Sequence, residues 1–71
     1  MNWTIVETNW MQFKGTVRAR WSKLTDEHLA AIAGNRAQLL SKLQEMYGIN
    51  KAIADKEIKV FEQRNKAYRG K

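Results

Sequence analysis

The chain reads as an all-α fold, a compact irregular bundle of four helices. Two observations predict it. Apolar residues return at three- and four-residue spacing in successive stretches, and the breaks between these stretches carry helix start and stop residues. A third observation supports them: no strand-like alternation persists, and the 71 residues contain no Pro. The short link after the first helix predicts helices that pack at an angle rather than as a regular up-down bundle.

The first helix is expected from Asn9 to Ser22. At about 100° per residue, Trp10, Phe13, Val17, Trp21 and Leu24 fall within an arc of roughly 80°, the stripe of a helix that buries one face. Asn9 or Thr8 is the expected N-cap, since either side chain can accept a bond from a free first-turn amide. Gly15 interrupts the pattern, and a mid-helix glycine costs roughly 1 kcal/mol relative to alanine. A close helix crossing there would account for it. Ahead of this helix, Trp3, Ile5 and Val6 suit either an extended arm or an early helical turn, with Trp3 expected to fold back onto the core.

Thr25 begins the second helix, with Asp26 and Glu27 at the positive end of its dipole. His28 stands at the third position, where a Glu would complete a capping box. Leu29, Ile32 and Ala33 form its short apolar face, and Gly34-Asn35 ends it. The third helix runs from Asn35 or Arg36 to Tyr47, built on Leu39, Leu40, Leu43, Met46 and Tyr47, and Gly48 stops it. Asn50 caps the fourth, from about Lys51 to Tyr68, with Ile49 placed to pack on Ala54. Its apolar members Ile53, Ala54, Ile58, Val60, Phe61 and Tyr68 cover a wide arc that also holds Glu57 and Arg64. Charges on a buried arc require partners, and Arg36 is a candidate for Glu57.

The length suits one domain, residues 1–71 with a core from about 3 to 68. The expected core comprises Trp10, Phe13, Val17, Trp21, Leu24, Leu29, Ile32, Leu39, Leu43, Tyr47 and Phe61. Without Cys there is neither a disulfide framework nor thiolate chemistry, and a lone His makes a transition-metal site unexpected. No apolar run approaches the ~20 residues of a membrane span, and the first ten residues lack the basic and apolar regions of an export signal. A cytoplasmic protein is expected. No residue pair offers a nucleophile with its base or two matched carboxylates, and His28 is read as a surface residue. We therefore expect neither an enzyme nor a cofactor.

The strings NWMQFKG, WSKLTDE, LQEMYGI and KEIKVFEQRN stand in an order and at distances that resemble the CsbD-like family of small bacterial proteins. The resemblance covers about Asn2 to Asn65. It implies two crossed helical hairpins, a cytoplasmic location and production under general stress or in stationary phase, and it implies no known biochemical activity. Met11, Ser22, His28 and Met46 depart from the pattern at surface positions, outside the apolar framework.

Two functional readings follow. In the first, the protein is a non-enzymatic interaction or protective module that binds a protein partner or a second copy of itself, and Met11, Met46 and Ile53 would supply an apolar patch if exposed. In the second, it is a weak, sequence-independent nucleic-acid binder. A net charge of +6, from 13 Lys and Arg against 7 Asp and Glu, favours anionic partners. Lys14, Arg18, Arg20, Lys23, Arg36 and Lys42 would be the contacts. The aromatic stripe could stack bases, but its narrow arc, shared with Val17 and Leu24, assigns it to the core. The basic residues are spread around their helix, among Asp26, Glu27, Glu45 and Glu62, as on an ordinary solvated face.

Overall fold

In a computed structural model, which describes residues 1–66, five helices follow one another: α1 (Trp3–Thr8), α2 (Trp10–Arg20), α3 (Asp26–Ile32), α4 (Arg36–Tyr47) and α5 (Lys51–Arg64). No strand occurs among the described residues. The radius of gyration is 11.1 Å, matching the roughly 11 Å of a packed chain of this length. Tyr68, expected at the end of the last helix, lies outside the described residues.

The caps explain most boundaries. Asn2, Thr25, Asn35 and Asn50 each have extended backbone, and each accepts a first-turn amide with its side-chain oxygen, from Thr4, His28, Gln38 and Ile53 respectively. Gly48 closes α4 in the left-handed conformation at φ 63°, where glycine lacks the Cβ penalty of other residues.

The first helix departs from expectation, and five helices replace four as a result. Of the two conformations open to the N-terminal segment the helical one is found, as a separate helix that Asn9 divides from α2. Asn9 does not cap α2 with its side chain. Its Nδ2 instead donates backward to the Ile5 carbonyl at 2.9 Å, and its backbone N–H reaches the Ile5 and Val6 carbonyls. An Asn side chain competing for backbone partners in this way interrupts a helix. The interruption turns α1 so that Val6 is fully buried and Trp3 is docked, its indole Nε1 donating to Glu62 Oε2 at 2.7 Å.

α4 packs against both α3 and α5, and α1 packs against α2. The core is wholly apolar: Val6, Phe13, Val17, Trp21, Leu24, Leu29, Ile32, Leu39, Leu43, Ala54, Ile58 and Phe61 are buried, and no polar or charged side chain joins them among the described residues. Trp10 and Tyr47, expected inside, are only half-buried at its edge. Both have a polar end to satisfy, and Trp10 Nε1 donates to the Leu29 carbonyl at 2.9 Å, tying α2 to α3. Phe61 joins α5 to α2. Its ring lies edge-on to Phe13 at 5.7 Å and tilted to Trp21 at 4.8 Å, within the separations at which aromatic pairs attract.

Gly15 has open space around its missing Cβ, so no helix crosses there. The close approach occurs at Gly34 instead. At φ 84°, a Cβ on Gly34 would stand 2.5 Å from the backbone Cα of Glu7, so α1 rests directly on the corner between α3 and α4.

Candidate functional site

Two groups of polar side chains link distant parts of the chain, one that braces α1, α4 and α5 and one beside a pocket. Arg36 begins α4, where a cation opposes the helix dipole. Two carboxylates of α5 offset this: Arg36 Nε donates to Glu62 Oε2 at 2.8 Å, and its terminal nitrogen donates to Asp55 Oδ1 at 3.0 Å. Asp55 and Glu62 are two turns apart and so share one face of α5. Burial pushes the Glu62 carboxyl up, but the indole bond from Trp3 and the Arg36 guanidinium outweigh it and hold the group below the usual glutamate range. The Arg36 bond, with help from Lys59, likewise holds Asp55 below its ordinary value. Burial acts to lower Arg36, and its two carboxylate bonds reverse this and leave it raised. Glu62 thus binds α1, α4 and α5 at one point.

Glu57, for which Arg36 was one candidate partner, pairs with Arg20 of α2 instead. Arg36 is taken up by Asp55 and Glu62, neither of which periodicity had singled out as its partner. The signal available was their seven-residue spacing on one helix.

The six basic residues proposed for nucleic acid are not assembled into one face. Arg18 pairs with Asp26 at 2.8 Å, Arg20 with Glu57, Arg36 with Asp55 and Glu62, and Lys42 lies 3.7 Å from Glu45. Lys14 is half-buried on α2, and the Lys23 ammonium lies 5.2 Å from the centre of the Tyr47 ring. Four of the six therefore already face a carboxylate of this chain, which weakens the field that would attract phosphates. The geometry lends that reading no support.

Among the described residues, an open pocket of 260 Å³ lies where the end of α2, the end of α4 and the first half of α5 meet. Trp21, Leu43, Tyr47, Ile49 and Ile53 form its apolar walls, and the Arg20–Glu57 pair stands at its polar side. The Arg20 guanidinium is 5.2 Å from the Trp21 centroid, and Lys23, which does not line the pocket, is as far from that of Tyr47, separations at which ring and cation attract. The Tyr47 hydroxyl accepts the Lys23 backbone N–H at 3.3 Å, fixing the ring. Ile53 is 46% exposed at the pocket, and Met11 is 78% exposed on α2. Met46, expected to join them in an apolar patch, is half-buried against the core. Ile49 and Tyr47 were legible only as a staple and a core residue; nothing in their spacing revealed a shared wall with Trp21, which is distant in the chain.

Among the described residues there is no cluster of His, Asp and Glu arranged to hold a metal ion, and no helix long and apolar enough to cross a membrane. His28 closes the start of α3. Its Nδ1 accepts the Thr25 backbone N–H at 3.1 Å, completing the capping box in the role expected of a Glu, and its Nε2 lies 4.0 Å from Glu45.

No family model matches the chain. Individual relatives do. A UPF0337 protein of Pectobacterium atrosepticum is 46% identical over 68 residues, covering 96% of this chain and 99% of the relative. The UPF0337 protein YjbJ of Escherichia coli K12 is 51% identical over 57 residues, 80% of this chain and 83% of its own. A third, from Protochlamydia amoebophila, is 44% identical over 66 residues, 93% of this chain and the whole of that protein. None of these names states an activity, a ligand or a partner. With identity this high along nearly the full length of both sequences, the chain belongs to the UPF0337 family of small bacterial proteins.

Proposed function

We propose that this protein is a non-enzymatic interaction or protective module of the CsbD-like type, working in the bacterial cytoplasm during general stress, and that it acts by binding another macromolecule at the α2–α4–α5 pocket. The stress role, the location and the pairing of helices as two crossed hairpins rest on the four motifs that resemble that family. The binding role rests on one observation, the open pocket walled by Trp21, Tyr47, Ile49 and Ile53. A small domain has every reason to bury such side chains, yet Ile53 is exposed and Tyr47 and Ile49 are only half-buried, above the buried Trp21 and beside the Arg20–Glu57 pair. At 260 Å³ and open on one side, the pocket falls just under the roughly 300–1,000 Å³ of sites that enclose small ligands. It suits the anchor side chain of a larger partner, the usual centre of a protein interface.

The test is a photo-crosslinking residue placed at position 53 in living cells, with a control at the exposed Thr16 of α2. A discrete adduct formed from position 53 and not from position 16 is the expected result. Equal labelling from both positions, or none from either under stress, would count against the reading.

A further inference from the structure

Resting on the reading of the chain as an interaction module, we infer that the pocket takes an acidic peptide segment: an apolar or aromatic side chain enters between Trp21, Tyr47, Ile49 and Ile53, and a neighbouring carboxylate displaces Glu57 from Arg20. Four observations carry the inference. The walls are apolar and two of them are rings, which suits an apolar anchor. The cation at this site, Arg20, lies over the Trp21 ring, so it is positioned before a partner arrives and loses little freedom on binding. Internal pairing weakens the field at any one face, but the chain as a whole still carries a surplus of +6, which biases encounter toward acidic rather than basic segments.

The fourth observation is the Arg20–Glu57 pair itself. Its side chains are 35% and 38% exposed, a setting in which an ion pair contributes little and is readily exchanged. Glu57 projects from the same helix as Ile53, one turn on, so it occupies the place where a partner's carboxylate would stand when its apolar neighbour sits against Ile53. Glu57 is then an internal competitor. It satisfies Arg20 in the free protein and yields it to the partner, and it selects against basic segments by leaving no unpaired acidic group on this rim.

Removing the cation should weaken binding, whereas removing the competitor should strengthen it. Short random peptides displayed on phage and selected on the immobilised full chain supply the probes, and the enriched peptides are then synthesised and titrated by fluorescence anisotropy. Enriched sequences should place Leu, Phe or Trp within one helical turn of Asp or Glu. Their affinity should fall by about tenfold for Ile53→Lys, fall several-fold for Arg20→Gln and rise several-fold for Glu57→Gln, with circular dichroism showing that each variant keeps its helices. Weakening by Glu57→Gln in parallel with Arg20→Gln would mean that the ion pair merely holds the pocket in shape, and would overturn the competitor role. Enriched peptides that are basic or uncharged would overturn the acidic partner while leaving an interaction module standing. Peptides insensitive to all three variants, or a selection that enriches nothing, would remove the pocket as a docking site and the functional reading with it.

Discussion

A methyl group added at Gly15 meets open space in the middle of α2, whereas one added at Gly34 meets the backbone of Glu7. The two substitutions should therefore act in opposite directions. Gly15→Ala removes backbone freedom from the unfolded chain and adds a better helix former, and it should stabilise by roughly 0.5–1 kcal/mol. Gly34→Ala must hold an alanine at φ 84° and push α1 off its seat; left-handed strain of about 1–2 kcal/mol adds to an overpacking cost of about 1–3 kcal/mol. Thermal melts of both variants decide the matter. A stabilising Gly34→Ala would mean that α1 does not rest on this corner. The sequence made both glycines visible, Gly34 as a helix stop and Gly15 as an oddity. It assigned the crossing to Gly15, because contact between residues distant in the chain leaves no local mark.

Among the elements, α3 shows how a short helix is held. At seven residues it is too short to persist alone. Its packing through Leu29 and Ile32, its Thr25 cap, the acidic pair Asp26 and Glu27, and the Trp10 indole on its Leu29 carbonyl act together. The His28 ring contributes because its Nδ1 accepts the Thr25 amide, a contact that any acceptor of similar reach can make. His28→Glu should preserve stability. His28→Ala should lower it by roughly 0.5–1 kcal/mol, the scale of a lost cap interaction, read as the midpoint of urea unfolding. Equal loss in both variants would show instead that the ring's approach to Glu45 is what matters. α5 is held differently. Its buried face of Ala54, Ile58 and Phe61 was legible from periodicity, and so was the need to pair Glu57. The identity of that partner was not, since several cations lay within reach in an unfolded chain and only the packing of α2 against α5 chose Arg20.

At the scale of the whole molecule, Glu62 joins three helices, and its ionisation links their docking to pH. Its carboxyl, like that of Asp55, lies below the ordinary range in the folded protein. The unfolded chain therefore binds more protons than the folded one in the acid region. Stability from these groups is fully present above their unfolded values, at about 4, and is lost as pH falls through the lower folded values. Glu62→Gln should cost about 1 kcal/mol at neutral pH, the worth of a charged hydrogen bond discounted for partial exposure. For a domain of this size that is a fall of roughly 4–8 °C in melting temperature. The same variant should flatten the acid limb of the stability profile below about pH 4. An unchanged acid limb would place the pH dependence elsewhere. Because the core contains no polar group among the described residues, this brace, not the interior, is where α1, α4 and α5 answer to charge.

What the sequence determined by itself was local: the helical class, the Thr25, Asn35 and Asn50 starts, the Gly48 stop and the burial of Phe13 and Val17 on one face of α2. Trp21 and Leu24, expected on the same helical stripe, are buried from beyond the helix end at Arg20. Caps and periodicities are written within a few residues of one another, so they can be read without knowing the fold. The break at Asn9, the docking of Trp3 on Glu62, the seat of Glu7 on Gly34, the sharing of Arg36 between Asp55 and Glu62, and the pocket joining Trp21 to Ile49 and Ile53 were decided by the tertiary structure. Each depends on which of several chemically equivalent partners the packing of the core brings near, and that choice is made by the burial of the whole apolar surface at once.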